Sequence, residues 1–158
     1  MSMRVGHGFD VHAFSDDPER VLVLGGVTFE GERGLQGHSD ADVIAHACAD
    51  ALLGAAGLGD LGRYFPETDA RWAGADSLTL LTDVASLVRE SGWTVANVDC
   101  TVVAEAPRLA PHRSAMERGL TDAAGAPVAV KATTSEGLGA LGRGEGIGAQ
   151  AVALLVAT

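Results

Sequence analysis

The sequence predicts an α/β fold of the α+β sandwich kind, a single domain over residues 1–158 with a mixed β-sheet and helices on one face. Three observations lead there. Two segments after residue 39 repeat apolar residues at helical spacing, residues 94–104 alternate at strand spacing, and glycine or proline punctuates the boundaries.

The elements follow in order. Residues 3–12 read as a strand, with Val5, Phe9 and Val11 set among glycines. Val21 to Leu24 is a short apolar run stopped by Gly25-Gly26, and Val27-Thr28-Phe29 returns as a hairpin. The first helix begins after Ser39, which with Asp42 three residues on resembles a capping box. Ile44, Cys48 and Leu52 then share one stripe. A glycine-rich turn spans residues 57–62. The second helix covers residues 77–91: Leu81, Val84 and Val88 recur at helical spacing, Asp76 caps it and Gly92 stops it. In residues 94–104, Val98, Cys100 and Val102 face one way and Asn97, Asp99 and Thr101 the other. Residues 111–124 form a third helix, with proline at its start and Gly125 just past its end. Residues 128–134 and 149–157 supply the last strands. The residues alone leave open which strands run parallel.

Composition narrows the function. Eleven Lys and Arg against 21 Asp and Glu give a formal charge of −10, and nucleic acid as a partner needs a basic footprint. No run approaches the roughly 18 apolar residues of a membrane span, and residues 1–8 show no secretory pattern, so the expected location is cytoplasmic. Cys48 and Cys100 lie far apart in apolar stretches and read as buried thiols. Two glycine patterns, at 57–62 and 137–142, match a dinucleotide fingerprint. Neither sits between a strand and a long helix, so both read as turns.

The chemistry concentrates in a few places. Asp10-Val11-His12 puts two side chains on one face of a strand, and His46 lies inside the first helix. Asp, His and His suit Zn²⁺, Mn²⁺ or Fe²⁺ and leave a coordination position open, as a catalytic rather than a structural site does. Asp42 and Asp50 stand one turn either side of His46, and either could orient its ring. His38-Ser39 at the helix start suits an anion. Lys131 to Glu136 ends a strand with a cation, three hydroxyls and a carboxylate; Glu136 could hold a second, harder ion such as Mg²⁺. Arg143 among glycines suits bidentate phosphate contact. Each pattern also has a plain structural reading as a strand end, a cap or a turn.

Together the motifs are specific. Gly6-His7-Gly8-Phe9-Asp10-Val11-His12, His38-Ser39-Asp40, Asp42, His46, Gly59-Asp60-Leu61-Gly62, Phe65-Pro66, Gly74-Ala75-Asp76-Ser77, Ala106-Pro107, Lys131-Ala132-Thr133-Thr134 and Gly142-Arg143-Gly144-Glu145-Gly146 occur in this order. The chain thereby resembles the 2-C-methyl-D-erythritol 2,4-cyclodiphosphate synthases along essentially its whole length.

The resemblance implies a homotrimer with active sites between subunits. It implies zinc on Asp10, His12 and His46, and a second divalent ion, Mg²⁺ or Mn²⁺, near Glu136. The substrate would be 4-diphosphocytidyl-2-C-methyl-D-erythritol 2-phosphate, whose 2-phosphate attacks the β-phosphorus and expels CMP in the non-mevalonate isoprenoid pathway. No protein nucleophile is required, so catalysis would rest on positioning and charge neutralisation. By the same resemblance His38 and Thr134 stabilise the transition state and Ser39 helps hold the phosphates. Further substrate contacts would come from Asp60, Leu61, Gly62, Phe65, Glu67, Asp69 and Arg143. Ala104, Ala106, Pro107, Arg108, Leu109 and Ala110 would form the cytosine pocket, and Thr133, Thr134, Ser135 and Glu136 would border the diphosphate. Phe9, Arg143 and Glu145 match the positions that line the trimer axis, where isoprenoid diphosphates bind in the family.

The chain departs from the pattern at Glu67, where Asp is expected, at Ala140, where an aromatic residue is common, and at Ser135, which replaces Thr. Two other readings remain at this stage: a metal-dependent phosphohydrolase, and a non-catalytic trimeric binding module with a structural zinc.

Overall fold

Strand β1 (Met3–Ala13) carries glycine at alternate positions, and this pattern decides how the layers meet. The structure, a computed structural model, describes residues 2–158. Gly6 and Gly8 face helix α1 (Val43–Ala56), while Val5 and Phe9 turn outward, 68% and 53% exposed. A Cβ at Gly6 would lie 2.0 Å from the Ala51 carbonyl oxygen, and one at Gly8 would lie 1.9 Å from that of Ala47. Only bare Cα atoms let helix and strand approach so closely. The apolar residues of β1 therefore face away from the core, which their place among the glycines did not announce.

Eleven of the fourteen residues of α1 are buried, so it is a central helix rather than an amphipathic surface one. The exceptions, His46, Asp50 and Gly54, follow one another at four-residue spacing and make a single stripe. The helix starts later than Ser39: its N-cap is Asp42, whose carboxylate accepts from Ile44 N and Ala45 N. It also accepts from Gly25 N and Gly26 N, at 2.9 and 2.7 Å. This ties the hairpin of β2 (Leu22–Leu24) and β3 (Val27–Phe29) to the helix end. Gly57, at φ 75°, closes α1 in the left-handed conformation that glycine adopts without strain.

The main sheet is mixed. Its order is β1, β6 (Gly146–Ala157), β4 (Trp93–Val103), β5 (Val128–Thr133). β6 runs antiparallel to both neighbours, and β4 and β5 run parallel. Helices α1, α3 (Ser77–Glu90) and α4 (Arg113–Ala124) cover one face. The core lies there, built on Leu52, Leu53, Leu81, Met116, Leu120 and Leu155. The alternation expected for residues 94–104 holds, interrupted by a register shift between Val95 and Asn97. Cys48 and Cys100 are free and buried.

Several boundaries differ from expectation. β6 begins at Gly146 rather than 149, because Ala13 and Gly146 already pair. Pro111 falls in a 3₁₀ turn, Ala110–His112, and α4 proper starts at Arg113. Short helices α2 (Leu61–Tyr64) and α5 (Gly139–Gly142), and a 3₁₀ turn at Ala70–Trp72, occupy segments too brief for periodicity to register. Among the described residues no helix is long and apolar enough to cross a membrane.

Candidate active site

Asp10 and His12 share the helix-facing side of β1 with Gly6 and Gly8, so the close approach of α1 brings His46 to them. Asp10 Oδ2 lies 3.1 Å from His12 Nε2 and 3.0 Å from His46 Nδ1. One ligand atom from each of the three falls within 4.8 Å of the others. Burial alone would raise the pKa of Asp10. The hydrogen bonds from the two imidazoles outweigh it and hold the carboxyl well below the usual range. The pKa of His12 is raised, chiefly by its hydrogen bond to Asp10.

Both rings present a defined atom to this cluster. His12 Nδ1 donates to the Gln36 carbonyl, which leaves Nε2 facing Asp10. His46 Nε2 meets Ser77 Oγ at 2.8 Å and Ser39 Oγ at 3.2 Å, which leaves Nδ1 facing Asp10. A carboxylate and two imidazoles, each braced through its other nitrogen, form a donor set that fits a divalent cation of the zinc type.

The cluster opens into a cavity of about 320 Å³, lined also by His38, Ser39, Asp50, Leu61, Gly62, Phe65, Glu67, Trp72 and Leu80. This volume is at the lower end of small-molecule sites. His38 is held by a 3.1 Å bond from Nε2 to the Asp69 carbonyl. Glu67, one methylene longer than the expected Asp, reaches the wall, and its charge helps raise His12. Trp72 and Leu80 also line the cavity, and nothing in their spacing marks them out in the sequence; Val11 reaches its edge from the Asp10-Val11-His12 motif.

Three expectations are corrected. Asp42 does not orient His46, because its carboxylate is buried and committed to four backbone amides. Asp50 does not either; it accepts from Leu61 N at 2.7 Å and so ties α2 to α1. His38 and Ser39 are not at a free helix N-terminus, since the amides of Ile44 and Ala45 are taken by Asp42. The Asp69 carboxylate pairs with Arg71 at 2.6 Å, while its carbonyl accepts from His38 at the cavity wall. Asp60 caps α2 through Arg63 N.

The sequence profile of the YgbB family matches residues 3–156. The chain belongs to the YgbB family. It is 56% identical to the 2-C-methyl-D-erythritol 2,4-cyclodiphosphate synthase of Thiobacillus denitrificans over 156 residues, 97% of this chain and 96% of that one. It is also 56% identical to the synthase of Moorella thermoacetica over 157 residues, 98% and 95% of the two chains. Among solved structures, the bifunctional IspDF of Campylobacter jejuni superposes with a TM-score of 0.93 at 40% identity. The match covers 99% of this chain and 43% of that longer one. The CDP complex of IspF from Plasmodium falciparum gives 0.85 at 30% identity, covering 99% and 97%.

In this YgbB-family chain the remaining candidates lie elsewhere. Val11, Gly148, Val103 and Thr133 form one row across the sheet, and three strand spacings put Thr133 about 14 Å from Val11. Beyond it Thr134 Oγ1 accepts from Glu136 N at 3.2 Å, and Ser135 is held by Glu105. Glu136 is at φ 54°, a left-handed conformation uncommon outside glycine. Ala106, Pro107 and Arg108 line a separate open groove with Thr28, Phe29, Glu30, Glu32 and His112; Ala104 and Leu109 are buried, and Ala110 opens the turn before α4. Arg143 pairs with Glu145 at 3.2 Å on the surface. One copy of the chain thus holds the Asp10, His12 and His46 cluster and the groove at Ala106, Pro107 and Arg108 apart.

Proposed function

We infer that this chain catalyses the reaction its YgbB-family relatives are named for. It converts 4-diphosphocytidyl-2-C-methyl-D-erythritol 2-phosphate to the 2,4-cyclodiphosphate and CMP. The observation that supports this most is the Asp10, His12 and His46 cluster at the wall of a ligand-sized cavity, each imidazole braced through one nitrogen with the other turned inward.

These three residues would hold zinc, and a bound zinc would neutralise phosphate charge as the pentavalent centre develops. The chain's own groups do the rest. His38, anchored through Nε2 by the Asp69 carbonyl, is held at the cavity wall beside the phosphates. Ser39 lies beside it on the wall, and Leu61, Gly62 and Phe65 give the erythritol end a largely apolar surface that limits water. The reaction needs the 2-phosphate kept against the β-phosphorus, so rate follows from orientation.

Thr134 as the second stabilising donor, Glu136 as ligand for Mg²⁺ or Mn²⁺, and residues 104–110 as the cytosine pocket reach this cavity from a neighbouring copy. Two features support a trimer. The candidates are split within one chain, and the outer face of the sheet exposes Met3, Val5, Phe9, Val11 and Val152, each 45% or more. Apolar residues so exposed on an edge strand call for a covering partner. Phe9, Arg143 and Glu145 would line the axis, where an isoprenoid diphosphate would compete with Glu145 for Arg143.

Incubation with the cytidylyl substrate and Mg²⁺ in ¹⁸O-labelled water, followed by mass spectrometry, tests the reading. Cyclic product and CMP without ¹⁸O are expected. A linear phosphate carrying ¹⁸O would mean hydrolysis and overturn it.

A further inference from the structure

The geometry points to Ser77 and Asp40 as positioning residues that set which nitrogen of His46 is presented to a metal. The inference rests on the metal reading of Asp10, His12 and His46. An imidazole binds a metal only through a nitrogen that carries no hydrogen, and the partner of the other nitrogen decides which one that is. His46 Nε2 lies 2.8 Å from Ser77 Oγ. A hydroxyl can donate or accept, so this contact alone leaves the tautomer open.

Asp40 settles the direction. A carboxylate only accepts. Its Oδ1 receives the Ser77 hydroxyl hydrogen and also Asp42 N at 3.1 Å, and its Oδ2 receives Ser77 N at 2.9 Å. The Asp40 amide in turn donates to the Ala75 carbonyl at 3.1 Å, which fixes the backbone that carries this carboxylate. With its one hydrogen on Asp40, Ser77 Oγ has only lone pairs for His46. Nε2 must be an N–H donor, so the nitrogen that can exchange its hydrogen for a metal is Nδ1, 3.0 Å from Asp10 Oδ2. Ser77 is 1% exposed, so water does not compete for these contacts. Ser39 Oγ is at 3.2 Å, and the Ala41 amide donates to it, so it assists without fixing the direction.

The chain of contacts joins the loop before α1, the first residue of α3 and the middle of the site. It explains why the start of α3, which lies outside the ligand set, bears on that set. In the sequence Ser77 closes the Gly74-Ala75-Asp76-Ser77 motif and follows a helix cap, with nothing in its spacing to tie it to His46.

The test uses the full chain prepared metal-free. Long-range ¹H–¹⁵N spectra report the His46 tautomer, and chelator competition reports zinc affinity, in the parent, Ser77→Ala and Ser77→Thr. A hydrogen on Nε2 is expected in the parent, and it is lost or only partly held in Ser77→Ala. Zinc affinity falls about 10- to 100-fold in Ser77→Ala, as for other groups that brace a ligand. Ser77→Thr, which keeps the hydroxyl, restores the tautomer. Where the extra methyl of Thr blocks folding, Asp40→Asn serves instead and is expected to disturb the tautomer. A parent whose Nε2 carries no hydrogen, or a Ser77→Ala protein with the parental ring spectrum and zinc affinity within threefold, overturns the proposal. A parent that takes up no zinc would end the metal reading, and the tautomer spectra of the metal-free chain would still decide the role of Ser77.

Discussion

Replacing Gly8 with alanine separates packing from chemistry at this site. The backbone there is ordinary extended strand, so the added methyl acts by volume alone. Its Cβ would sit 1.9 Å from the Ala47 carbonyl oxygen and 2.7 Å from Ala51 N, against the 3.4 Å at which ordinary contact begins. Strand and helix must part by the difference of 1.9 and 3.4 Å, about 1.5 Å, because both obstacles are backbone. Overpacking of this kind costs about 1–3 kcal/mol, and for a chain of this length each kcal/mol lowers Tm by about 2–4 °C. A drop of roughly 2–12 °C follows. The same movement carries His46, next to Ala47, away from Asp10, stretching a 3.0 Å contact to a distance no single ion spans with both. Thermal unfolding of the metal-free protein and zinc per chain by elemental analysis read the two effects. A Gly8→Ala protein that keeps its Tm within 1 °C and binds a full equivalent of zinc would refute the claim that glycine at this position sets the site.

His46→Ala should lose bound zinc and turnover together; full metal content at full turnover would remove His46 from the ligand set. Thr134→Ala should lower kcat about 100-fold, as loss of a transition-state donor does. Its exposed position should leave the Tm nearly unchanged, and unaltered kcat would exclude it from the reaction. Light scattering should give the mass of three chains, and Phe9→Glu, which places a charge on the apolar outer face, should shift it towards one; a monomeric parent would undo the shared-site picture. The metal-free protein should be most stable between about pH 4 and 6. Asp10, with its pKa depressed, contributes stability above its ordinary 3.8 and loses it as pH falls through the lowered value. His12, with its pKa raised, contributes below 6.5 and loses it as pH rises through the raised value. Burial and the neighbouring Asp40 push Asp42 up to about 6, so its contribution is lost as pH rises from 3.8 to that point, which draws the maximum towards the acid end of the window. Calorimetry that found Tm climbing from pH 6 to 8 would contradict these signs.

The sequence by itself determined the order of the main elements, the single-domain fold and the residue types that meet at Asp10, His12 and His46. Strand and helix periods are local properties, and D-x-H on a strand places two side chains on one face wherever that strand goes. The motif order was specific enough to place the chain in its family, as the match over residues 3–156 bears out. Only the tertiary structure decided which carboxylate serves which neighbour. Asp42 and Asp50 stand equally far along the chain from His46, yet one is drawn to the amides of the Gly25-Gly26 turn and the other to Leu61 N. Asp10, 36 residues away, takes the imidazole instead. Hydrogen bonds are satisfied by whatever donor the packed layers bring within reach, and that depends on how closely they approach. Here the approach was set by two glycines with no side chain of their own.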